Sequence, residues 1–356
     1  MGEPLIGHMS IAEITLIGFV ALILTLLLTP LSMKLALTVG VIDVPDERKL
    51  HDANIPCLGG LAFAISFGIS CLIFLPLDSI VSGFLIGLVI ITITGLADDI
   101  WHIRPALKFS GEIIASLVFI LYGGTELTSF GDLIGIGPIE TGIFAVPVTV
   151  FCMVGVMNAL NFSDGLDGLA GGMSAIACIF LGYFLLQSGQ SVSLALSTVL
   201  FGCLIGFLYF NFYPAKVFMG DTGSLVLGYI LSSICVLSQK LGGDIPIAPI
   251  SMALILALPI ADTLWIMTNR VCRGKGPFTP DNTHLHHKLL SLNLSHLTVV
   301  LIFYVCMFVC GLLSILMQSR PEWLQFATGT GFIISVYVVV AVFQRRGLDF
   351  SAGDNS

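Results

Sequence analysis

Charge is scarce in this sequence. Only 10% of its 356 residues are Asp, Glu, Lys or Arg, whereas a soluble domain carries about 25%. A water-soluble domain of this length is therefore excluded. No CxxC pair occurs among the nine cysteines, and most of them lie inside apolar stretches. Buried cysteine behaves as a small apolar residue, so neither a disulfide framework nor a zinc site is expected. There is no Walker phosphate loop, and no serine or cysteine nucleophile motif is present. Low-complexity linkers and clear internal repeats are also missing. The first ten residues contain no Lys or Arg, so a cleaved signal peptide is not expected.

What fills the chain instead is hydrophobic. The apolar fraction is 56% and the mean hydropathy is +1.02. Apolar runs of about 17 to 25 residues, enough to cross a bilayer, recur throughout. They lie near 10–30, 58–76, 80–97, 108–122, 142–158, 168–187, 190–210, 222–240, 248–267, 297–318 and 324–343. The fold class is an all-α, polytopic transmembrane helical bundle of about eleven spans, or ten if the short 108–122 run does not cross. We read residues 1–356 as a single integral-membrane domain.

Orientation follows from Lys and Arg. Lys34, Arg48, Lys49, Arg104, Lys108, Lys216, Arg270, Arg273, Lys275, Lys288, Arg345 and Arg346 fall in one set of alternate loops and the C-terminal tail. The other set holds only Lys240 and Arg320. The positive-inside rule puts the first set in the cytoplasm. The N-terminus is then expected outside, in the periplasm, and the C-terminus inside. The segment 123–141 lacks positive charge and reads as a short external hairpin.

The polar residues gather at span ends on the cytoplasmic side. "GLADDIWHIRP" ends the third span with Asp98 and Asp99. "NALNFSDGLDGLAGG" ends the fifth, with Asn158, Asn161, Asp164 and Asp167 three residues apart. "FNFYPAKVFMGDTGS" joins the seventh and eighth, carrying Asn211, Lys216 and Asp221. "NRVCRGKGPFTPDNTHLHHKLL" follows the ninth, carrying Arg270, His284, His286 and His287.

Each cluster has a plain structural reading and a chemical one. Adjacent Asp98 and Asp99 are either a solvated helix end or a pair whose repulsion a divalent cation relieves. The Asn158-to-Asp167 run is either a helix cap with Asx turns or a stripe of ligands with glycines that admit a substrate. Asp221 either caps the following helix or holds a cation beside a phosphate-binding helix start. The basic residues are either membrane anchors or a phosphate grip. Asp262, inside a span, is a functional candidate or a buried partner for Arg270 or the backbone. Together they suit a reaction with several phosphates, a divalent cation and a membrane-embedded acceptor. Mg²⁺ prefers such oxygen donors, and phosphoryl transfer mostly needs positioning and charge neutralisation.

"IPCLGG", "GLADD", "NALNFSDGLDGLAGG", "NFYPAKVFMGDTGS" and "PFTPDNTHLHH", in this order over about residues 40–290, resemble the polyprenyl-phosphate N-acetylhexosamine-1-phosphate transferase superfamily. Ile55-Pro56-Cys57-Leu58-Gly59-Gly60, His284-Leu285-His286-His287 and the "PFTPD" lead-in favour its N-acetylglucosamine branch over the muramoyl-pentapeptide branch. Cys57 departs from the leucine more usual there. The resemblance implies attack by undecaprenyl phosphate on the β-phosphorus of UDP-N-acetylglucosamine, releasing UMP. It also implies Mg²⁺, with Mn²⁺ as a substitute, on Asp221 and Asn161. Asp98 and Asp99 would orient or deprotonate the lipid phosphate. Asp164 and Asp167 would line the nucleotide pocket, with Asn211 near uracil, Phe218 stacked on it and Lys49 reaching toward it. Arg270, His284, His286 and His287 would hold the diphosphate and sugar. The implied setting is the bacterial inner membrane, with the product starting a common antigen, O-antigen or teichoic acid. A homodimer is compatible with the family, and no nucleic acid is expected as a partner. A sibling transferase with another UDP-sugar is the alternative. A transporter would cluster polar residues near the midplane, and a prenyltransferase would carry DDxxD motifs; neither pattern is found.

Overall fold

The computed structural model describes residues 10–43, 54–241, 243–274, 276 and 284–346. Its helices are α1 (Ile11–Val39), α2 (Gly59–Phe74), α3 (Ser79–Trp101), α4 (Pro105–Gly123), α5 (Ala145–Ser163), α6 (Leu169–Ser188) and α7 (Ser191–Asn211). They continue with α8 (Gly220–Lys240), α9 (Pro249–Ile255), α10 (Ala257–Cys272), α11 (Leu285–Leu290), α12 (His296–Met317) and α13 (Glu322–Arg345). Among the described residues, a two-residue antiparallel pair, β1 (Ile42–Asp43) with β2 (Ile55–Pro56), also forms.

Among the described residues, nine helices are long and apolar enough to cross a membrane, and the α9–α10 pair would make a tenth. The chain is a multi-pass membrane protein. Each of the eleven expected runs becomes helix, but three differ from the simple picture. The short 108–122 run is a full 19-residue helix, α4. The run at 58–76 is the shorter one, with only 16 residues of helix in α2. The expected continuous span at 248–267 is instead broken between α9 and α10 and bent by 79°. Pro259 explains the break, because it cannot donate to the Ile255 carbonyl four residues earlier and its ring crowds that carbonyl.

Helix ends follow ordinary capping chemistry. Ser10 and Glu13 form a capping box on α1, and Asp78 accepts from the Val81 N–H to cap α3. Ser295 does the same for α12 through the Thr298 N–H. The 123–141 segment forms a hairpin, closed by Phe130–Ile139 and Thr141–Thr128 backbone bonds.

α8 is the most buried of the candidate spans, while α13 and α1 are the least. Its position follows from small residues that let backbones approach closely. Gly60 of α2 and Gly223 of α8 show the limit. A Cβ on Gly60 would sit 2.2 Å from the Gly223 Cα, so no side chain fits there. The opposite half of α8 anchors an aromatic cluster. Tyr229 stacks on Phe84 at 5.4 Å between centroids and donates its hydroxyl hydrogen to the Phe84 carbonyl.

Candidate active site

The N-terminus of α8 is where three motifs meet. Backbone bonds from Gly59 N–H to the Phe218 carbonyl, Gly60 N–H to the Met219 carbonyl and Phe218 N–H to the Pro56 carbonyl splice "IPCLGG" onto "VFMGD". From α3, Asp99 accepts the Asp221 N–H at 2.7 Å, the Thr222 N–H at 3.0 Å and the Thr222 hydroxyl at 2.5 Å. Asp99 is therefore the cap of α8, supplied from another helix, and both its oxygens are used. Asp221 does not cap its own helix, and its carboxylate is free to face outward.

That carboxylate meets α4 and α5. Asp221 Oδ2 accepts from Lys108 Nζ at 2.7 Å, and Asp221 Oδ1 accepts from Asn161 Nδ2 at 2.6 Å. Lys108 also pairs with Asp98 Oδ2 at 3.0 Å and lies 3.4 Å from Asn161 Oδ1. Oxygens from α3, α5 and α8 thus converge on one ammonium. In the sequence alone, Lys108 serves only to assign topology. Its signal was a lysine four residues before Glu112 inside an apolar helix, where ionisable residues are costly and functional. Glu112 itself is fully buried and accepts from Asn158 Nδ2, so Asn158 sits behind the site and not in it.

A cavity of about 900 Å³ opens over this cluster. Asp98, Asp99, Asn161, Asp164, Asp167, Asn211, Phe218, Asp221 and His287 all line it. The remaining expected residues are placed differently. His284 and His286 are buried behind His287, stacked at 5.6 Å from one another. A Cβ on Gly165 would lie 2.5 Å from His286 Nε2, so the imidazole packs directly on that loop. Burial lowers the His286 pKa to about 3, helped by the neighbouring His287 and His284 rings. His286 is buried and is not among the residues lining the cavity. Arg270 is buried on α10 and is not among the residues lining the cavity. Lys49 lies outside the described residues.

Asp262 has partners other than the Arg270 considered from sequence. It takes His284 Nδ1 at 3.0 Å, the Leu285 N–H at 3.1 Å and the Tyr337 hydroxyl at 2.6 Å. It ties the histidine segment to α10 and α13. Asn211 is likewise committed to the backbone: its oxygen accepts the Gly168 N–H and its amide donates to the Val217 carbonyl.

The donor set can be tested for a hard divalent cation. No group of three or more His, Cys, Asp or Glu among the described residues forms a metal cage. The oxygens around Lys108 Nζ are two carboxylates and one amide, the kinds that Mg²⁺ takes while keeping waters and substrate phosphates. The ammonium stands where such a cation would be held, so the residues fit.

Electrostatics point the same way. Asp164, just beyond α5, has its pKa raised to about 7, first by burial and then by the carboxylates of Asp221, Asp99 and Asp167. The folded chain therefore holds that proton more tightly than the unfolded chain. Stability from this group falls as pH rises from about 4, the unfolded value, through about 7. Asp164→Asn should flatten that fall. Thermal midpoints of both proteins in detergent between pH 5 and 8, without divalent cation, check it; parallel curves would contradict it.

Known proteins resemble this chain over most of its length. Residues 81–239 match the family model described as glycosyl transferase family 4. A Bacillus subtilis (strain 168) protein named probable undecaprenyl-phosphate N-acetylglucosaminyl 1-phosphate transferase is 33% identical, over 90% of this chain and 88% of its own length. A Mycolicibacterium smegmatis decaprenyl-phosphate N-acetylglucosaminephosphotransferase is 31% identical, over 95% and 90%. The undecaprenyl-phosphate alpha-N-acetylglucosaminyl 1-phosphate transferase of Escherichia coli K12 is 29% identical, over 82% and 81%.

Proposed function

This chain belongs to the polyprenyl-phosphate N-acetylhexosamine-1-phosphate transferase superfamily, and from that premise we propose that its donor is UDP-N-acetylglucosamine and its acceptor undecaprenyl phosphate. The products are undecaprenyl-diphospho-N-acetylglucosamine and UMP. The observation that carries the reading is the meeting of Asp98, Asn161 and Asp221 oxygens on one cation position at a 900 Å³ cavity. The relatives' names supply the substrate class.

An oxygen of the lipid phosphate forms a bond to the donor's β-phosphorus. The bond from that phosphorus to the bridging oxygen breaks, and UMP leaves with the electron pair. A phosphate monoester is largely ionised near neutral pH, its second pKa being about 6, so no carboxylate has to take a proton from it. Asp98 and Lys108 orient the acceptor phosphate. Asp221 and Asn161 would hold Mg²⁺, which when bound would supply charge neutralisation for the diphosphate. Asp99 acts through Asp221, by fixing the start of α8. Asp167 and Phe218 bound the nucleotide half of the cavity, and His287 reaches the diphosphate. The apolar cavity of about 450 Å³ between α5, α8, α9 and α10 suits the isoprenoid tail.

We assign the site to the cytoplasmic face of the inner membrane on the Lys and Arg distribution. The lipid product would start an envelope glycan of the common antigen, O-antigen or teichoic acid type. The test is UMP release by purified protein with undecaprenyl phosphate, Mg²⁺ and a panel of UDP-sugars. Release is expected only with UDP-N-acetylglucosamine, and only with cation and lipid present. Release with another UDP-sugar would move the chain to a sibling reaction, and silence with every donor would overturn the proposal.

A further inference from the structure

His296, the first residue of α12, lies beyond all five motifs and lines the same cavity. Its Nε2 accepts the Asp167 N–H at 2.9 Å. A ring nitrogen that accepts carries no hydrogen, so the neutral imidazole bears its proton on Nδ1. That Nδ1 is buried without a hydrogen-bond partner in the structure. The Tyr213 ring lies against the imidazole at 4.7 Å between centroids.

The contact belongs to a set that grips one turn from several sides. Asp167 Oδ2 accepts the Ala215 N–H at 2.9 Å. The next residue, Gly168, sits at φ +75°, donates to Asn211 and accepts from the Tyr304 hydroxyl at 2.6 Å. Helix α12 therefore holds the Asp167–Gly168 turn at two points, His296 and Tyr304. Of the two contacts from α12, the one on the Asp167 N–H comes from a side chain lining the cavity. Remove that acceptor and the turn loses a bond at the residue that faces the nucleotide.

We propose that His296 is a positioning residue for donor binding: it fixes the Asp167 turn so that the Asp167 carboxylate is presented to the nucleotide. The proposal rests on the transferase reading above, in which Asp167 bounds the nucleotide half. It separates donor affinity, which depends on the turn, from turnover, which depends on the Asp98–Lys108–Asp221 cluster. Losing one such hydrogen bond is worth about tenfold in affinity.

The experiment measures UMP binding by titration calorimetry, and KM and kcat for UDP-N-acetylglucosamine, with full-length protein in detergent. H296A and H296F are expected to raise the Kd for UMP and the donor KM about tenfold, with kcat within about threefold. H296F keeps a ring against Tyr213 and removes the acceptor together with the unpartnered Nδ1–H, so it covers the case in which H296A fails to fold. H296Q, whose side-chain oxygen can accept the Asp167 N–H, should recover most of the affinity. Wild-type UMP affinity in both H296A and H296F would overturn the proposal, as would a fall in kcat at unchanged KM. Wild-type protein that neither binds UMP nor releases it would instead overturn the transferase reading itself.

Discussion

Asp221→Asn is expected to cut turnover by at least about a thousandfold, the scale of losing a principal electrostatic contact to the transition state, while the protein still folds. Asparagine keeps the shape of the side chain. The start of α8 is held by the Asp221 and Thr222 backbone N–H groups on Asp99, and these survive the substitution. What is lost is the negative charge facing Lys108 at 2.7 Å and Asn161 at 2.6 Å. An amide oxygen can still ligate but brings no charge to offset the cation, so extra Mg²⁺ should not restore the rate. UMP release and a thermal melt in detergent, run side by side, check both halves. Turnover near wild type would remove Asp221 from the metal-binding role. A collapsed melting curve would make the residue a packing group.

The membrane bundle was legible because hydropathy runs at the scale of whole spans, and every expected run became helix. The site was legible wherever a side chain itself faces the cavity, as with Asp98, Asn161, Asp164 and Asp221. It was less legible wherever a residue works through the backbone. "IPCLGG" carries only a family resemblance in one dimension. In three dimensions its Gly59 and Gly60 N–H groups bond the segment leading into α8. Asn211, which the resemblance places near uracil, lines the cavity, and both ends of its amide hold main chain. The histidines look like equals in sequence, but only His287 of the three lines the cavity. His296 and Tyr304 could not have been found from spacing at all. They lie 129 and 136 residues from their partners Asp167 and Gly168, and only the packing of α12 brings them there.

Lys108→Met tests the least expected member of the cluster. Methionine has similar length, favours helix and fills irregular space, so α4 should persist. Two opposed effects follow from the geometry. Lys108 Nζ occupies the oxygens of Asp98 and Asp221 that a divalent cation would take, at 3.0 and 2.7 Å. Its removal leaves those carboxylates uncompensated, and a metal ion is the remaining way to relieve them. The Mg²⁺ concentration for half-maximal turnover should therefore fall. Maximal turnover should also fall, by about a hundredfold, because a preorganised positive charge beside the reacting phosphates is gone. Lys108→Arg keeps the charge but not the compact ammonium, and should recover part of the rate. UMP release over a Mg²⁺ titration separates the two effects. Lower turnover at an unchanged Mg²⁺ requirement would mean that Lys108 acts on the phosphates alone. Unchanged turnover would mean that its bonds hold the carboxylates only until substrate arrives.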